Sequence, residues 1–271
     1  MTRTLTKASL AGLSLLWGAE ASAEIGRWPQ LTHTPNVGSA TLSANWSGYA
    51  NEILVPRPGP ELEAVFVVPQ YSARDANLDG VSIWTGFDGF VDRDHLLAVG
   101  VDCFANGSTG VRECFAWAEN YPDATVALFY VNPGDLMELF VFHNQIGLGT
   151  SGYYVTDLTT GDSAGLDHSF TCDVPQCPSN DPYTGTSAEW IVGAPTINGQ
   201  IAPLANFSPV EMYNCIMLSF NGARDRYPGD SPRTSHPMTL SQNGLVLAPR
   251  RVDPFSFQMT PQPNPIELRP K

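Results

Sequence analysis

Short runs of hydrophobic residues, often alternating with polar ones, follow one another along most of the chain. No window of useful length repeats apolar residues at the 3.6-residue period of a helix, and the runs are rich in β-branched and aromatic residues. Turn-forming clusters such as NPGD, TTGD and SQNG separate them. The number and spacing of the runs predict an all-β protein, built as an antiparallel β-sandwich or barrel.

The run HLLAVGVDC, from His95 to Cys103, has two unequal faces when it is read as a strand. One face is apolar and suits a core; its members are Leu97, Val99, Val101 and Cys103. The other face is nearly bare and ends in an acid; its members are Leu96, Ala98, Gly100 and Asp102. Because its side chains are small and end in a carboxylate, this second face is a candidate binding or catalytic surface.

The chain begins with the pattern of a secretory signal peptide. Arg3 and Lys7 precede an apolar run from Ala8 to Ala19, and Ala21–Ala23 supplies the small-x-small pattern of a signal-peptidase site. The apolar run is too short to cross a bilayer. We therefore expect residues 1–23 to be removed and the mature protein to be secreted.

The remaining chain predicts a single domain with two appendages. Residues 24–44 are weakly patterned, and we expect this N-terminal extension to drape over the surface. The β-rich runs then continue from 45 to 260 without an interdomain linker, which predicts one domain over that range. Residues 261–271 form a Pro-rich tail.

The charge balance narrows the choice of partners. The formal net charge is −13, and Lys7 and Lys271 are the only lysines. Such a surface excludes nucleic acid and anionic membranes as partners. It suits acid conditions, where protonated carboxylates repel one another less, although the ordinary solubility of a secreted protein explains the same charge equally well.

Five cysteines fit an exported protein but allow several pairings. The spacings favour a Cys103–Cys114 bridge and a tight Cys172–Cys177 bridge. Cys215 would then remain as a buried thiol.

Two local motifs suggest chemistry that their context does not support. GDSAG at 161–165 fits the G-x-S-x-G of a nucleophile elbow, but it lies in a turn between two predicted strands with no helix after it. DANLDG at 75–80 copies half of a calcium loop, but Gly86 stands where the bidentate Glu belongs. The five histidines show no metal-ligand spacing. We therefore predict polar turns at both motifs, and neither a metal nor a cofactor.

Carboxylates and aromatic rings share strand faces in the predicted sheet: Trp84 lies with Asp88, and Trp117 lies with Glu119 and Tyr121. Glu189 stands between Ala188 and Trp190, where a glutamate is unusual in a strand. One interpretation is a solvent-facing residue on an outer sheet. The other is a carboxyl group in an aromatic-walled cleft, with its pKa raised by desolvation.

An ordered series of motifs resembles the glutamic peptidases, or eqolisins. The matching pieces are NWSGY at 45–49, VFVVP at 65–69, IWTGFDG at 83–89, LLAVGVD at 96–102, AWAENYPD at 116–123, DLTTG at 157–161, SAEWIV at 187–192, PLANFSPVEMYNC at 203–215 and MTLSQNGLVLA at 238–248. The resemblance implies a concanavalin-like antiparallel β-sandwich of two roughly seven-stranded sheets. It further implies a secreted, acid-active endopeptidase that binds a polypeptide substrate across one face. We expect the protein to be a monomer.

Members of that family hydrolyse peptides with a Glu–Gln pair. The Glu is the general base that activates water and later protonates the leaving amine, and the Gln amide stabilises the oxyanion. The resemblance assigns the Glu to Glu189, but the position of the Gln falls on Ala98. The other residues that it assigns to the substrate cleft are Trp84, Asp88, Asp102, Trp117, Glu119 and Tyr121.

The missing amide leaves the function open. Loss of one oxyanion donor typically lowers kcat by about 10²–10³-fold, so activity is expected to be reduced or lost. The chain could be a degenerate homologue, an enzyme with another donor, or an engineered inactive form. The alternative function is a non-catalytic module that presents Trp84, Trp117 and Tyr121 to a peptide or a carbohydrate. An inert structural domain would leave the cleft carboxylates unexplained.

Overall fold

The computed structural model describes residues 31–34, 37–39, 42–54, 60–143, 150–169, 183–218, 226–231 and 233–263. The predicted signal peptide, the Cys172–Cys177 pair and most of the Pro-rich tail lie outside the described residues. Regular structure in the described ranges is entirely β, as predicted. These ranges contain no helix of the length and apolarity that crossing a membrane requires.

The described residues form the following strands: β1 (Leu31–Thr32), β2 (Val37–Ser39), β3 (Leu42–Ser43), β4 (Trp46–Glu52), β5 (Glu61–Val67), β6 (Tyr71–Ser72), β7 (Leu78–Asp88), β8 (Leu96–Asn106), β9 (Arg112–Tyr121), β10 (Val126–Val131), β11 (Leu136–Phe142), β12 (Thr150–Asp157), β13 (Ser163–Ser169), β14 (Ser187–Gly193), β15 (Thr196–Ile197), β16 (Gln200–Ile201), β17 (Asn206–Phe207), β18 (Val210–Leu218), β19 (Ser235–Gln242), β20 (Leu245–Leu247), β21 (Pro249–Asp253), β22 (Ser256–Met259) and β23 (Gln262–Pro263).

Two large sheets pack as a sandwich, which confirms the predicted fold class. The larger sheet has the order β10-β9-β8-β7-β14-β4-β19-β20-β23, with β3 beside β19 and β2 beside β3. The smaller sheet has the order β13-β12-β11-β5-β18-β22-β21. Among the described residues the smaller sheet has the seven expected strands, whereas the larger reaches eleven because short strands are added beyond β4. Neighbouring strands are antiparallel except for β3 and β19.

The main hydrophobic core lies between the two sheets. Leu97, Val99 and Val101 of β8 are fully buried there, in one cluster with Met137 and Leu139 of β11. The apolar face of HLLAVGVDC is therefore a core face, as its alternation predicts. The predicted Cys103–Cys114 disulfide joins β8 to β9 at facing positions, and Cys215 is a buried thiol.

The opposite face of the larger sheet carries a second buried cluster. Its members include Trp46, Trp84, Trp117, Ala98 and Ile191. We call this surface the site face: the side of the larger sheet turned away from the smaller sheet, formed at its centre by alternate residues of β14, β7, β8 and β9. The residues of β7, β8 and β14 are almost all buried, so the centre of the larger sheet is buried on both sides.

Each discounted motif begins in a polar turn and ends in the strand that follows, β7 for DANLDG and β13 for GDSAG. GDSAG spans the turn between β12 and β13 and the start of β13, and no helix follows it in the described chain. In DANLDG, the Asp75 carboxylate accepts a hydrogen bond from the Asn77 amide, and Asp79 accepts one from the Arg74 amide. Both motifs thus supply the local hydrogen bonds of a turn.

Candidate active site

One row of residues across the larger sheet carries the predicted catalytic positions. Glu189 pairs with Gly86, Gly86 pairs with Ala98, and Ala98 pairs with Glu119. Paired residues on neighbouring strands point to the same face, so all four lie on the site face. With strands about 4.8 Å apart, the Cα atoms of Glu189 and Ala98 are about 10 Å apart, with one strand between them.

The position between those two residues is a glycine, and its neighbours leave no room for a side chain there. A Cβ atom added to Gly86 would lie 2.8 Å from Cβ of Ala98 and 2.7 Å from the Leu97 carbonyl oxygen. Both contacts are too close for any larger residue, and Gly86 contributes no side chain of its own. The Glu189 carboxyl and the Ala98 methyl therefore lie on either side of a strand position without a side chain.

The neighbouring rows bring the other predicted site residues to the same face. Trp84 pairs with Gly100, which pairs with Trp117. Asp102 lies one row further along, and its carboxylate accepts a 2.9 Å hydrogen bond from the Trp117 indole N–H. Asp88 and Tyr121 flank Leu96 at the other end of the strands.

The Glu189 carboxyl group is buried with little compensation. Its residue is 0% exposed, and neither carboxyl oxygen has a hydrogen-bond partner among the described residues. Burial raises the pKa of Glu189 well above its usual value, and the negative charge of Asp88 adds to the rise. The Ser187 side chain and the Phe90 amide act in the opposite direction but do not offset it. Glu189 is therefore not a solvent-facing residue of an outer sheet.

Asp88 is buried too, but its carboxylate is saturated with hydrogen bonds. It accepts from the amides of Thr184, Gly185 and Thr186 and from both threonine hydroxyls, at 2.8–3.0 Å. Asp88 has a positive φ of 67°, which turns the end of β7 toward that segment. Its side chain thus fixes the chain that leads into β14, the strand of Glu189.

His33 belongs to the same site, although sequence reasoning assigned it no role. Its ring stacks on the Trp117 indole with centroids 3.7 Å apart and planes inclined by 7°. Nδ1 lies 2.5 Å from Glu119 Oε2, and Nε2 lies 3.1 Å from Asp102 Oδ2. Burial lowers the pKa of His33, but the charges and hydrogen bonds of the two carboxylates outweigh it and raise the pKa to about 9. The ring is therefore an imidazolium at neutral and acid pH.

The described part of the N-terminal extension includes buried residues at the site: Leu31 is 4% exposed and His33 is 1% exposed. The scattered histidines carry no spacing signal that would have pointed to this site. The one local hint is that Leu31 and His33 share a strand face in the stretch LTHT, which becomes partly the strand β1.

A family model and three solved structures resemble the chain. The model described as the peptidase A4 family matches residues 44–252. A comparison with curated protein sequences finds no significant match.

The solved structures share the sandwich fold. Scytalido-glutamic peptidase, bound to a peptide-based transition-state analogue, is 20% identical with a TM-score of 0.59 and covers 80% of this chain and 98% of its own. SCP-B, an eqolisin bound to the tripeptide Ala-Ile-His, is 19% identical with a TM-score of 0.55 and the same coverage. Aspergilloglutamic peptidase from Aspergillus niger is 25% identical with a TM-score of 0.52 and covers 67% of this chain and 98% of its own. Because the family model spans most of the chain, the protein belongs to the peptidase A4 family, the glutamic-type endopeptidases.

Proposed function

We propose that this protein is a secreted acid endopeptidase in which Glu189 is the general base and Ala98 stands at the position of the oxyanion-stabilising Gln. The observation that carries the proposal is the buried, unpaired carboxyl of Glu189, facing Ala98 across Gly86. The proposed substrate is a polypeptide, because two relatives in the same family were solved with a peptide-based analogue and with a tripeptide.

In this mechanism Glu189 moves one proton twice. Its carboxylate takes a proton from the water that attacks the scissile carbonyl, and the resulting acid gives that proton to the leaving amine. Only the ionised fraction of Glu189 can take the first proton; the raised pKa makes that carboxylate a stronger base and lets the resulting acid hold the proton until the amine leaves.

Stabilisation of the oxyanion is the weak step. The Ala98 methyl donates no hydrogen bond, so the negative oxygen of the tetrahedral intermediate lacks the amide that relatives are expected to supply. Loss of one such donor typically lowers kcat by about 10²–10³-fold. We therefore expect the enzyme to fold normally and to have a low kcat.

Secretion is the second part of the proposal. The pattern of Arg3, Lys7 and Ala21–Ala23 supports cleavage of a signal peptide near Ala23. The Cys103–Cys114 disulfide is consistent with an oxidising compartment.

The test is a peptide-hydrolysis assay in acid with three variants. We expect Ala98→Gln to raise kcat by about 10–10³-fold, because it restores an amide beside the reacting carbonyl. Glu189→Gln should abolish turnover in both backgrounds, whereas Glu138→Gln, at an exposed position on the smaller sheet, should leave it unchanged. No gain from Ala98→Gln together with no loss from Glu189→Gln would reject the catalytic assignment.

A binding module remains the second candidate, and the absence of an amide at Ala98 favours it. It would use the same site face, with Trp84 and Trp117 contacting a peptide or a carbohydrate. Calorimetry separates the two functions. Tight binding of a peptide that stays intact over days, in both the unmodified protein and Ala98→Gln, would support the module and contradict the enzyme.

A further inference from the structure

The row of residues that contains Glu189 continues on the side away from Ala98. Glu189 pairs with Ala50 of β4, and Ala50 pairs with His236 of β19. Paired residues point to the same face, so His236 belongs to the site face. With strands about 4.8 Å apart, the Cα atoms of His236 and Glu189 are about 10 Å apart, the same separation as between Glu189 and Ala98. A histidine thus occupies on one side of Glu189 the place that Ala98 occupies on the other.

Phe90, in the loop between β7 and β8, lies against both His236 and Glu189. Its ring packs on the imidazole ring of His236 with centroids 5.1 Å apart and planes inclined by 33°. Its backbone amide lies near the Glu189 carboxyl group and lowers the pKa of that group in part, although burial prevails. Phe90 also packs on the buried cluster of the site face. The imidazole and the carboxyl group are therefore neighbours of one residue, on either side of the small side chain of Ala50.

The Nε2 atom of His236 is buried and has no hydrogen-bond partner among the described residues. A carboxylate oxygen of Glu52 lies 3.6 Å away, which is too far for a hydrogen bond. Buried polar atoms of folded proteins nearly always have such partners. Glu189 and His236 therefore present unpaired polar groups of opposite kind in one row, carboxyl oxygens that take up a proton and a ring nitrogen that can donate a hydrogen bond.

We propose that His236 is a catalytic residue that donates a hydrogen bond from Nε2 to the oxyanion, in place of the amide that Ala98 lacks. This inference rests on the proposed function, in which Glu189 activates the attacking water. As the water oxygen bonds to the scissile carbon, the π electron pair of the C=O bond moves to the carbonyl oxygen. That oxygen points toward β19, where His236 stabilises its negative charge and keeps its own proton. The proton from water stays on Glu189 until the amine leaves.

An imidazole ring suits this role for two reasons. Its N–H donor is part of a rigid, planar ring, and the ring carries a full positive charge when both nitrogens are protonated. A charge-assisted hydrogen bond is about twice as strong as a neutral one. The packing of Phe90 on the face of the ring orients the donor before the reaction, so that little reorganisation is needed as the charge develops.

The row is open to solvent at the end where His236 lies. The side chain of His236 is 25% exposed and that of Glu52 is 35% exposed, whereas Ala98 and Glu119 toward the other end are 0% exposed. A peptide that approaches along this row from solvent meets His236 before it meets Glu189. The exposed end of the row thus provides both access and the proposed donor.

The kinetic test is a double-mutant cycle with Ala98→Gln in the acid peptide-hydrolysis assay. In the unmodified chain, His236→Ala should lower kcat by about 10²-fold, the usual loss for one oxyanion donor. In Ala98→Gln, where an amide serves the oxyanion, the same substitution should lower kcat by less than about threefold. His236→Gln keeps a neutral N–H donor and should be about tenfold more active than His236→Ala. Glu138→Gln, at an exposed position on the smaller sheet, is the control and should leave kcat unchanged.

A phosphinate peptide, whose anionic tetrahedral group imitates the oxyanion, tests the donor without turnover. In calorimetry at pH 5, His236→Ala should weaken its binding by about tenfold and leave the affinity for the matched methylene peptide unchanged. If His236→Ala does not fold, His236→Phe removes the donor and keeps a ring to pack on Phe90, so it serves in both measurements.

The outcomes separate this proposal from the proposed function. Equal losses of kcat in the two backgrounds, or phosphinate binding that does not depend on His236, would overturn the role of His236. If Ala98→Gln is active while the unmodified chain is inert, Glu189 keeps its role and His236 is not a donor. If no variant hydrolyses any peptide while the phosphinate still binds through His236, the proposed function fails and the anion-binding role of His236 stands.

Discussion

Two buried carboxyl groups on the site face have opposite surroundings. Asp88 accepts five hydrogen bonds from Thr184, Gly185 and Thr186, whereas Glu189 accepts none from the described residues. Buried polar groups in proteins are nearly always hydrogen-bonded, so an orphaned carboxyl is a cost that folding alone does not explain. From this difference we infer that Asp88 positions the chain and that Glu189 is the candidate catalytic residue.

Replacement of Glu189 by Gln should stabilise the protein at neutral pH. A raised folded-state pKa means that the folded protein holds the proton while the unfolded chain releases it above about pH 4.3. The free energy of unfolding therefore falls as pH rises above that value. We expect Glu189→Gln to be more stable than the unmodified protein by at least about 1 kcal/mol at pH 7, with the difference vanishing below about pH 4. Urea denaturation at several pH values measures it.

The matched control is Glu138→Gln, because that side chain is exposed on the smaller sheet. Its charge adds repulsion to Glu63, but because the side chain is exposed, its loss should change the free energy of unfolding by less than about 0.5 kcal/mol at either pH. A Glu189→Gln variant that is less stable at pH 7 would show that the carboxyl group has partners that satisfy it when it is ionised.

At the scale of elements, the structure of β8 can be predicted from its sequence, whereas the position of Leu31–Thr34, which we call the strap, cannot. The alternation in HLLAVGVDC places Leu97 and Ala98 on opposite faces, and a strand period of two residues is local information. The strap is held by contacts with partners far along the chain; His33 and Asp102 are 69 residues apart. Such pairs leave no periodic signal in either segment.

Two further differences have similar causes. The larger sheet exceeds seven strands because elements such as β20 and β23, of three and two residues, are too short to show a hydrophobic pattern. The hydrogen bonds of Asp88 were not predicted either. The positive φ at the end of β7, followed by Gly89, turns its carboxylate to the segment before β14, and its place in a substrate cleft stays a prediction.

The strap should be held more weakly as the solution becomes alkaline. The pKa of His33 is raised to about 9, above its unfolded value of about 6.5. Its stabilising contribution is therefore complete below about pH 6.5 and is lost as pH rises through about 9. We expect the difference in free energy of unfolding between the unmodified protein and His33→Ala to be on the order of 3 kcal/mol larger at pH 6 than at pH 10.

Paired urea titrations of both chains measure this difference, since all other titrating groups are common to the two proteins. Thr32→Ala should show a difference that is independent of pH. A His33→Ala curve parallel to that of the unmodified protein would mean that the ring is neutral in the folded state.

At the scale of the whole molecule, the direction of several pKa shifts favours acid. Burial raises the pKa of Glu61 and of Glu63 on β5, with added repulsion from Glu63 and from Glu138 respectively. Because the folded-state pKa of both groups is raised, as it is for Glu189, their contribution to the free energy of unfolding is complete below the unfolded pKa. This contribution is lost as pH rises. With a net charge of −13 at pH 7, ionisation of the remaining acids adds general repulsion.

A loss of stability with falling pH begins only in stronger acid. Burial raises the pKa of Asp92, but hydrogen bonds, led by that of His95, outweigh it and lower the pKa. The stability from Asp92 is therefore present above its unfolded value and lost as pH falls through its lower folded value. His33 reinforces the alkaline loss, because its contribution declines between about pH 6.5 and 9. Taken together, these pH dependences predict that the free energy of unfolding is greatest between about pH 4 and 6.

Urea denaturation of the full chain across this range tests the balance. At constant ionic strength, which keeps screening equal, the free energy of unfolding should be lower at pH 8 than at pH 5 by at least about 1 kcal/mol. Glu63→Gln should reduce that difference, because it removes one raised pKa and the repulsion that Glu63 exerts on Glu61. A curve that is flat or rising from pH 5 to 8 would contradict the prediction. In that case the acidic surface would serve solubility alone, and acid adaptation would have to reside in the chemistry of Glu189.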